Sequence, residues 1–487
     1  MNNLNKGEGW KSRLRRVWGF GEIKKMAILK ELAYIQSGYA YKAKDFLSTG
    51  KFPVLKIKNI RNGYIDYSDC NFINIDLANK TKKWETKEND ILISMTGSGP
   101  NAPSSLVGRV ARVRKGEEKA YINQRIGRII VTGDIDPDFI FYFLSQKSVQ
   151  KYLVDNSTGS ANQVNISAET ILSIELPKVT YEDSVRIKNI LNKLDEKITL
   201  NTQTNQTLEQ IAQGIFKHWF IDFAPVHAKA NALARGETAE QAELAAMACL
   251  SGKTVEKITA LKTQDPTAYH QLQQTAAAFP SEFVETEMGE VPRGWEVKQV
   301  KDMGKIICGK TPSKKKEEFY GNDIPFIKIP DMHNNTFIIK TTDNLSLLGA
   351  NNQKTKFIEK GSICISCIAT VGLVSITSER SQTNQQINSI VPNSEIFTEY
   401  LYLYFSQDTM NKKLKDLASG GSATLNLNTT AFSNITLLIP NNNLIEFFHK
   451  KVQPLFDKIL SNKKESISLS DTRDELLPKL LSGDIEL

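Results

Sequence analysis

The chain has 487 residues, too many for one ordinary core, so two or more domains are expected. Its 40% hydrophobic and 24% charged content excludes a disordered chain, and a net charge of +8 permits a polyanionic partner without demanding one. No run of about 18 apolar residues excludes a membrane-spanning helix, and five sparse cysteines point to a reducing compartment and a cytoplasmic protein.

Residues 1–25 carry Lys11, Arg13, Arg15 and Arg16 with no apolar stretch behind them, so they are not a signal peptide. They form an N-terminal extension, because from Met26 onward the chain is written twice. FPVLKIKNI (52–60) matches IPFIKIPDM (324–332), and ILIS (91–94) matches ICIS (363–366), both at an offset of 272 residues. INQRI (122–126) faces TNQQI (383–387), and FIFYFLSQ (139–146) faces YLYLYFSQ (400–407), at an offset of 261. STGSANQVNI (157–166) echoes SGGSATLNL (419–427), and each is followed by an apolar segment ending in Pro177 or Pro440. The change of offset places extra loop residues in the first copy, around Gly97 to Gly116. The expected borders are 26–178 for the first globular domain and 291–440 for the second.

Between and after the copies the apolar residues follow a seven-residue rhythm. Residues 179–223 carry Ile187, Leu194, Asn201, Leu208 and Ile215 at one position, and Leu191, Ile198, Asn205, Ala212 and Trp219 at the other. Residues 441–487 repeat it with Phe448, Leu455, Asn462, Leu469 and Leu476, and with Val452, Ile459, Ser466, Arg473 and Leu480. A sustained seam predicts two long helices that pair with each other, with Asn201 and Asn462 fixing the register. Some 35 residues make a rod of roughly 50 Å. Pro454 and Pro478 are expected to start and to bend the second helix. Residues 224–290 have no partner in the second copy. Their alanine-rich runs predict a helical connector interrupted near Pro266.

Two motifs invite an enzymatic reading, and the repeat disposes of both. GKIICGKT (304–311) fits the phosphate loop pattern of an ATPase, with Lys310 on phosphate and Thr311 on magnesium. At an offset of 271, however, only Gly309 is shared, with Gly38, and the preceding WEVKQVKDM lacks a buried strand. Cys364 and Cys367 form a C-x-x-C, but their counterparts are Leu92 and Met95, so they read as core packing. Scarce histidines and the absence of nucleophile, methyl-transfer or carboxylate-cluster motifs leave no catalytic residue and no metal site to name.

What recurs is basic and amide side chains near glycine-rich turns. Lys42, Lys44, Lys56, Lys58 and Arg61, and Lys310, Lys314, Lys315, Lys316 and Lys328, are candidates for phosphate contact. Asn123, Gln124 and Arg125, and Asn384, Gln385 and Gln386, offer the groups that hydrogen-bond base edges. Tyr39 and Tyr41 are candidates to approach a groove. Turn-forming amides and solvated lysines are the competing explanation for each of these residues taken singly. A protein-binding adaptor built by duplication is the rival to DNA reading.

The chain resembles the specificity subunit of type I restriction–modification enzymes. The residues that carry the likeness are the repeated domains, LEQIAQGIFKHWFIDFAPV (208–226), MGEVPRGWEV (288–297) and DELLPKLLSGDIEL (474–487). The resemblance implies an α+β fold with two similar target-recognition domains, a pseudo-two-fold internal repeat, and long helices pairing as an antiparallel coiled coil. Each domain would read one half of a bipartite double-stranded DNA target. The helices would set the gap and dock two methyltransferase subunits, with motor/nuclease subunits joining through those; Leu194, Asn201, Leu208, Ile215, Trp219, Leu455, Asn462, Leu469 and Leu476 are the spacer and docking candidates. The chain itself would bind no cofactor. S-adenosylmethionine, ATP and magnesium would serve the partners.

Overall fold

The structure, a computed structural model, describes residues 26–99, 106–160, 163–286, 289–419, 425–482 and 485. The N-terminal extension, part of the 97–116 loop, Ala161–Asn162 and residues 420–424 of the SGGS loop therefore lie outside the described residues. One compact unit comprises the described residues up to Thr199 together with those from Ser466 onward, and the other runs from Leu200 to Glu465.

The two units repeat one topology. In the first, Ala33–Ser37 pairs antiparallel with Ile126–Val131, which pairs with Ile91–Ser94, and that strand with Val110–Arg112. A second sheet sets Phe52–Leu55 between antiparallel Asn71–Ile73 and parallel Tyr121–Ile122. The second unit has the same order: Gly304–Cys308, Ile387–Pro392, Ile363–Ser366 and Val374–Thr377, extended by Phe337–Ile338. Its second sheet is Asp343–Leu345, Tyr320–Ile327 and Gln382–Thr383.

The ILIS and ICIS strands lie at the centre and are buried throughout, because both faces are covered. Ile91 and Ile93 face a core built on the helix Pro137–Leu144, while Leu92 faces a second core with Leu55 and Ile60. Ile363 and Ile365 divide from Cys364 in the same way. Cys364 thus fills the place of Leu92. Burial drives its thiol up to about 12 and that of Cys367 to about 11, the behaviour of packing residues rather than of thiolate ligands.

The seven-residue seam forms as expected. The central helix spans Tyr181–Phe216 and ends in a π-helical turn, Lys217–Ile221; the C-terminal helix spans Asn442–Ser482. Every seam position named above is buried or half-buried. In the second unit Asn201 donates to the Asn462 carbonyl (3.3 Å) and to Glu465 (2.8 Å). Asn462 donates to Asn205 (2.9 Å), whose amide reaches the Ile459 carbonyl (3.2 Å). Asn201 thus meets Asn462, and Asn205 meets Ile459, so the two helices run antiparallel.

One expectation needs correction: the C-terminal helix does not begin at Pro454 but at Asn442 and runs through both prolines. Pro454 is exposed, so the carbonyl it leaves without a partner faces solvent.

Residues 224–290 form the helices Ala224–Ala234, Ala239–Ser251, Val255–Gln264 and Pro266–Ala277, then the first strand of a hairpin, Phe283–Thr286 with Gly289–Pro292. The break at Pro266 is where proline at a first helical turn is tolerated. Ala246, Met247, Ile258, Tyr269 and Ala276 give these helices a small core. No helix of the described residues is long and apolar enough to cross a membrane.

Candidate nucleic-acid interface

Each unit exposes an edge built the same way. After the first strand, Gly38 donates to the Ile126 carbonyl and Tyr39 to that of Ile122, while Gln124 donates back to Tyr39, all at 2.9 Å. A Cβ on Gly38 would stand 2.1 Å from the Asn123 carbonyl oxygen, so only glycine lets the two segments meet. In the second unit Gly309 donates to Ile387 (3.1 Å) and Lys310 to Thr383 (2.9 Å), and a Cβ on Gly309 would stand 2.1 Å from the Asn384 oxygen.

This geometry gathers some candidates and removes others. On the first edge Tyr39 is half-buried, edge-on to Trp84 at 4.9 Å, while Gln124 and Arg125 are exposed on the adjoining turn and Lys42 and Lys44 on the loop that follows. On the second edge Lys310, Gln385, Lys314, Lys315 and Lys316 are exposed and Gln386 half-buried; Thr311 donates to the Gln385 side chain at 2.5 Å.

Tyr41, by contrast, is buried, and its hydroxyl donates to Thr81 at 3.0 Å. Burial pushes that phenol up to about 12. Asn123 and Asn384 are buried too, each side-chain oxygen accepting from the backbone N–H two residues on, at Arg125 (3.3 Å) and Gln386 (3.1 Å). These are Asx-type turns, not base readers.

The lysines at the 272 offset are also committed internally. Lys56 donates to Asn71 at 2.6 Å and lies over the Phe46 ring, and Lys328 pairs with Asp343 at 2.5 Å. Lys58 pairs with Asp69 and Arg61 with Asp66. Sequence reasoning missed Trp84, whose indole donates to the Ser37 carbonyl at 3.0 Å and so lies on the first edge beside exposed Lys83. An aromatic beside a lysine at a turn was the available signal.

Among the helix candidates, Leu194, Leu208, Ile215, Leu455, Leu469 and Leu476 are half-buried along the seam, and Asn201 and Asn462 are buried within it. Trp219 is a correction: it is buried among Phe220, Phe279 and Phe448 and offers no docking face.

The phosphate-loop string is likewise a strand, Gly304–Cys308, and Thr311 is held by Gln385 with no α-helix starting at it. Among the described residues no group of three or more His, Cys, Asp or Glu is placed to hold a metal ion.

Two copies of one α+β domain, each with a solvent-facing edge of lysines and amides, to which the first adds Arg125, and each joined to long paired helices, define a duplicated recognition protein. The family model described as "Type I restriction modification DNA specificity domain" matches residues 23–210 and 292–469. The chain is 49% identical over 426 residues to the type I restriction enzyme HindI specificity subunit of Haemophilus influenzae, covering 85% of this chain and 91% of that one. It is 25% identical over 462 residues to the MjaIX specificity subunit of Methanocaldococcus jannaschii, covering 92% and 93%. A crystal structure of the S subunit from M. genitalium aligns over 94% of this chain and 97% of that one, with 16% identity and a TM-score of 0.46. The chain belongs to the type I restriction–modification DNA specificity family. It is a specificity subunit, a non-catalytic member of its enzyme.

Proposed function

We propose that each recognition domain (residues 26–178 and 291–440) reads one half of a bipartite DNA sequence through its exposed edge. The long helices set the gap and carry two methyltransferase subunits, through which motor/nuclease subunits join. Methyl transfer from S-adenosylmethionine and ATP- and magnesium-dependent cleavage belong to those partners. The supporting observation is the repeated edge. Its framework is common to both units, yet its exposed residues differ: Gln124 and Arg125 on one, Gln385 with Lys310 and Lys314–Lys316 on the other. Two readers of different half-sites need a shared scaffold and unlike tips.

The first test is a map of adenine methylation across the host genome with the gene intact and deleted. One split motif that vanishes on deletion is the expected result; an unchanged map with active partners would favour the protein-binding adaptor. Swapping residues 26–178 for another such domain should then change one half of the motif. Within the second half, replacing Lys314, Lys315 and Lys316 with alanine should weaken binding to all sequences alike and lower the salt slope by about 3. Arg125→Ala should relax one position of the first half by about 1–3 kcal/mol.

A further inference from the structure

The floor beneath each edge loop points to a specificity device, an inference that rests on the function proposed above. Thr81 and Gln353 stand 272 residues apart, so they occupy one position of the repeat. Each follows the same short helix, Ile75–Lys80 or Leu347–Asn351, whose caps Asn74 and Ser346 share that offset. Each also reaches the same loop by different chemistry. The Thr81 hydroxyl accepts from Tyr41, two residues beyond Tyr39. The Gln353 amide donates to the Lys310 carbonyl at 2.8 Å. Lys310 is thereby held at both backbone groups, since its N–H is on Thr383.

A second repeated position lies below, at an offset of 261. Tyr121 packs in the Tyr41 core, whereas Gln382 accepts from Gln353 at 2.8 Å and donates to the Ala350 carbonyl at 2.9 Å. Thr81, Gln353 and Gln382 are at most 6% exposed, so none reaches a ligand directly. A buried amide pair is also a costly way merely to fill space. Two side-chain oxygens there, of Gln353 and Thr383, are without a protein partner, and such a network is expensive unless it holds something in place. One unit thus supports its loop on a hydroxyl and a phenol ring, the other on two amides.

We propose that Thr81 and Gln353, each with its neighbour Tyr121 or Gln382, are positioning residues that fix the backbone of the edge loops and so decide which base each half discriminates. They act through the loop, not on DNA. The side chain of Lys310 and the Thr311–Gln385 link leave the backbone that Gln353 pins, so releasing that carbonyl moves the reading groups together.

The test uses the full chain in its host, with methylation frequency read at intact and singly altered half-sites. Gln353→Met keeps the length and removes the donor. It should reduce discrimination at one position of the second half by about tenfold, the lower end of what one good base contact contributes, with the first half unchanged. Thr81→Val should do the mirror-image, and Thr81→Ser should restore the parent pattern. If Gln353→Met does not accumulate as folded protein, Gln353→Asn, which keeps the amide on a shorter stem, takes its place. Unchanged discrimination ratios alongside a lower melting temperature would reduce both residues to core packing and overturn the proposal. So would loss at both halves from a single variant. Absence of any split motif in the parent strain would instead defeat the functional reading on which this rests.

Discussion

At one matching end of the long helices the second unit packs five aromatic side chains where the first has four aliphatic ones and a single phenylalanine. At the end of the central helix Phe216, Trp219 and Phe220 meet Tyr400 and Phe448, with Phe220–Phe448 at 4.9 Å and Phe216–Tyr400 at 5.3 Å. The residues 261 positions away are Leu477, Leu480 and Leu481 of the C-terminal helix, with Phe139 and Ile187, all buried in the core of the first unit. The extra aromatic volume has a use. Phe279 and Trp295, which flank the end of the 224–290 segment, pack on Trp219 and Phe220 at 5.3 and 5.9 Å.

A second contrast lies on the seam. In the first unit Arg473 pairs with Asp195 at 2.6 Å, and Asp195 also accepts from Tyr142 at 2.9 Å. The equivalent places in the second unit hold Ala212 and Phe456, both buried. An antiparallel pairing of the central helix with a copy of itself would set Asp195 against Ala212, with no guanidinium to meet it. Unlike chemistry at like positions makes each helix fit only the other, a use of charge for partner choice rather than for stability.

The largest effect should come from the aromatic end. Phe448→Ala empties the centre of the cluster and should destabilise the second unit by about 4 kcal/mol. Ile187→Val at the matching place in the first should cost only about 1 kcal/mol. Hydrogen exchange resolved by segment is the suitable readout, because a chain of two units need not unfold in one step. Protection lost equally from both units would break the comparison. Next comes the ion pair: Arg473→Met leaves Asp195 buried and unmatched, for about 3 kcal/mol in the first unit alone. Adding Asp195→Leu should recover most of that loss, since an apolar pair of similar size replaces a buried ion pair nearly neutrally. A double variant as weak as the single one would mean the ion pair holds the seam itself, not only its pairing choice.

These contrasts also explain what could be read beforehand. The repeat, the buried ILIS and ICIS strands and the helical seam were legible because both units need the same fold, and apolar periodicity reports burial directly. The same logic misled the reading of the edge. Residues shared at a fixed offset, such as Asn123 with Asn384 and Lys56 with Lys328, drew attention by recurring, and they recur because they shape turns and pin strands. Residues that tell two half-sites apart must differ between copies, so they leave no repeat signal. Tyr41 was misplaced because a tyrosine two positions past a turn glycine has no sequence mark of which face it takes. Pro454 failed as a helix start because the rule concerns the carbonyl it strands, and exposure, which decides the cost, is not written locally. Trp219 reads as a docking residue because the seam is legible, whereas nothing in the sequence marks Phe279, which packs against it from outside the seam.

The smallest expected effect follows pH and again separates the units. His449 in the second unit lies 2.7 Å from Glu399, both side chains largely buried, whereas the matching residue of the first unit is Lys188, 3.5 Å from Asp136. The hydrogen bond to Glu399 raises the His449 pKa against an opposing desolvation, helped by the charges of Glu399, Glu395 and Asp457. A histidine whose folded pKa is raised binds its proton more tightly when folded. Its contribution is complete below about 6.5, the unfolded value, and is lost as pH climbs through the folded one. Lys463 in the same unit runs the other way. Burial, partly offset by Glu209, draws its amine down to about 8, so folding it charged is unfavourable below that pH and the penalty fades between about 8 and 10.5. Segment-resolved stability of the second unit should therefore fall modestly from pH 6 into the neutral range, and then recover from pH 8 upward. The first unit carries no imidazole at this position, so the position should give it no such dip. His449→Gln should flatten the descending limb and leave the rising one; a descent that survives the substitution would assign it to another group.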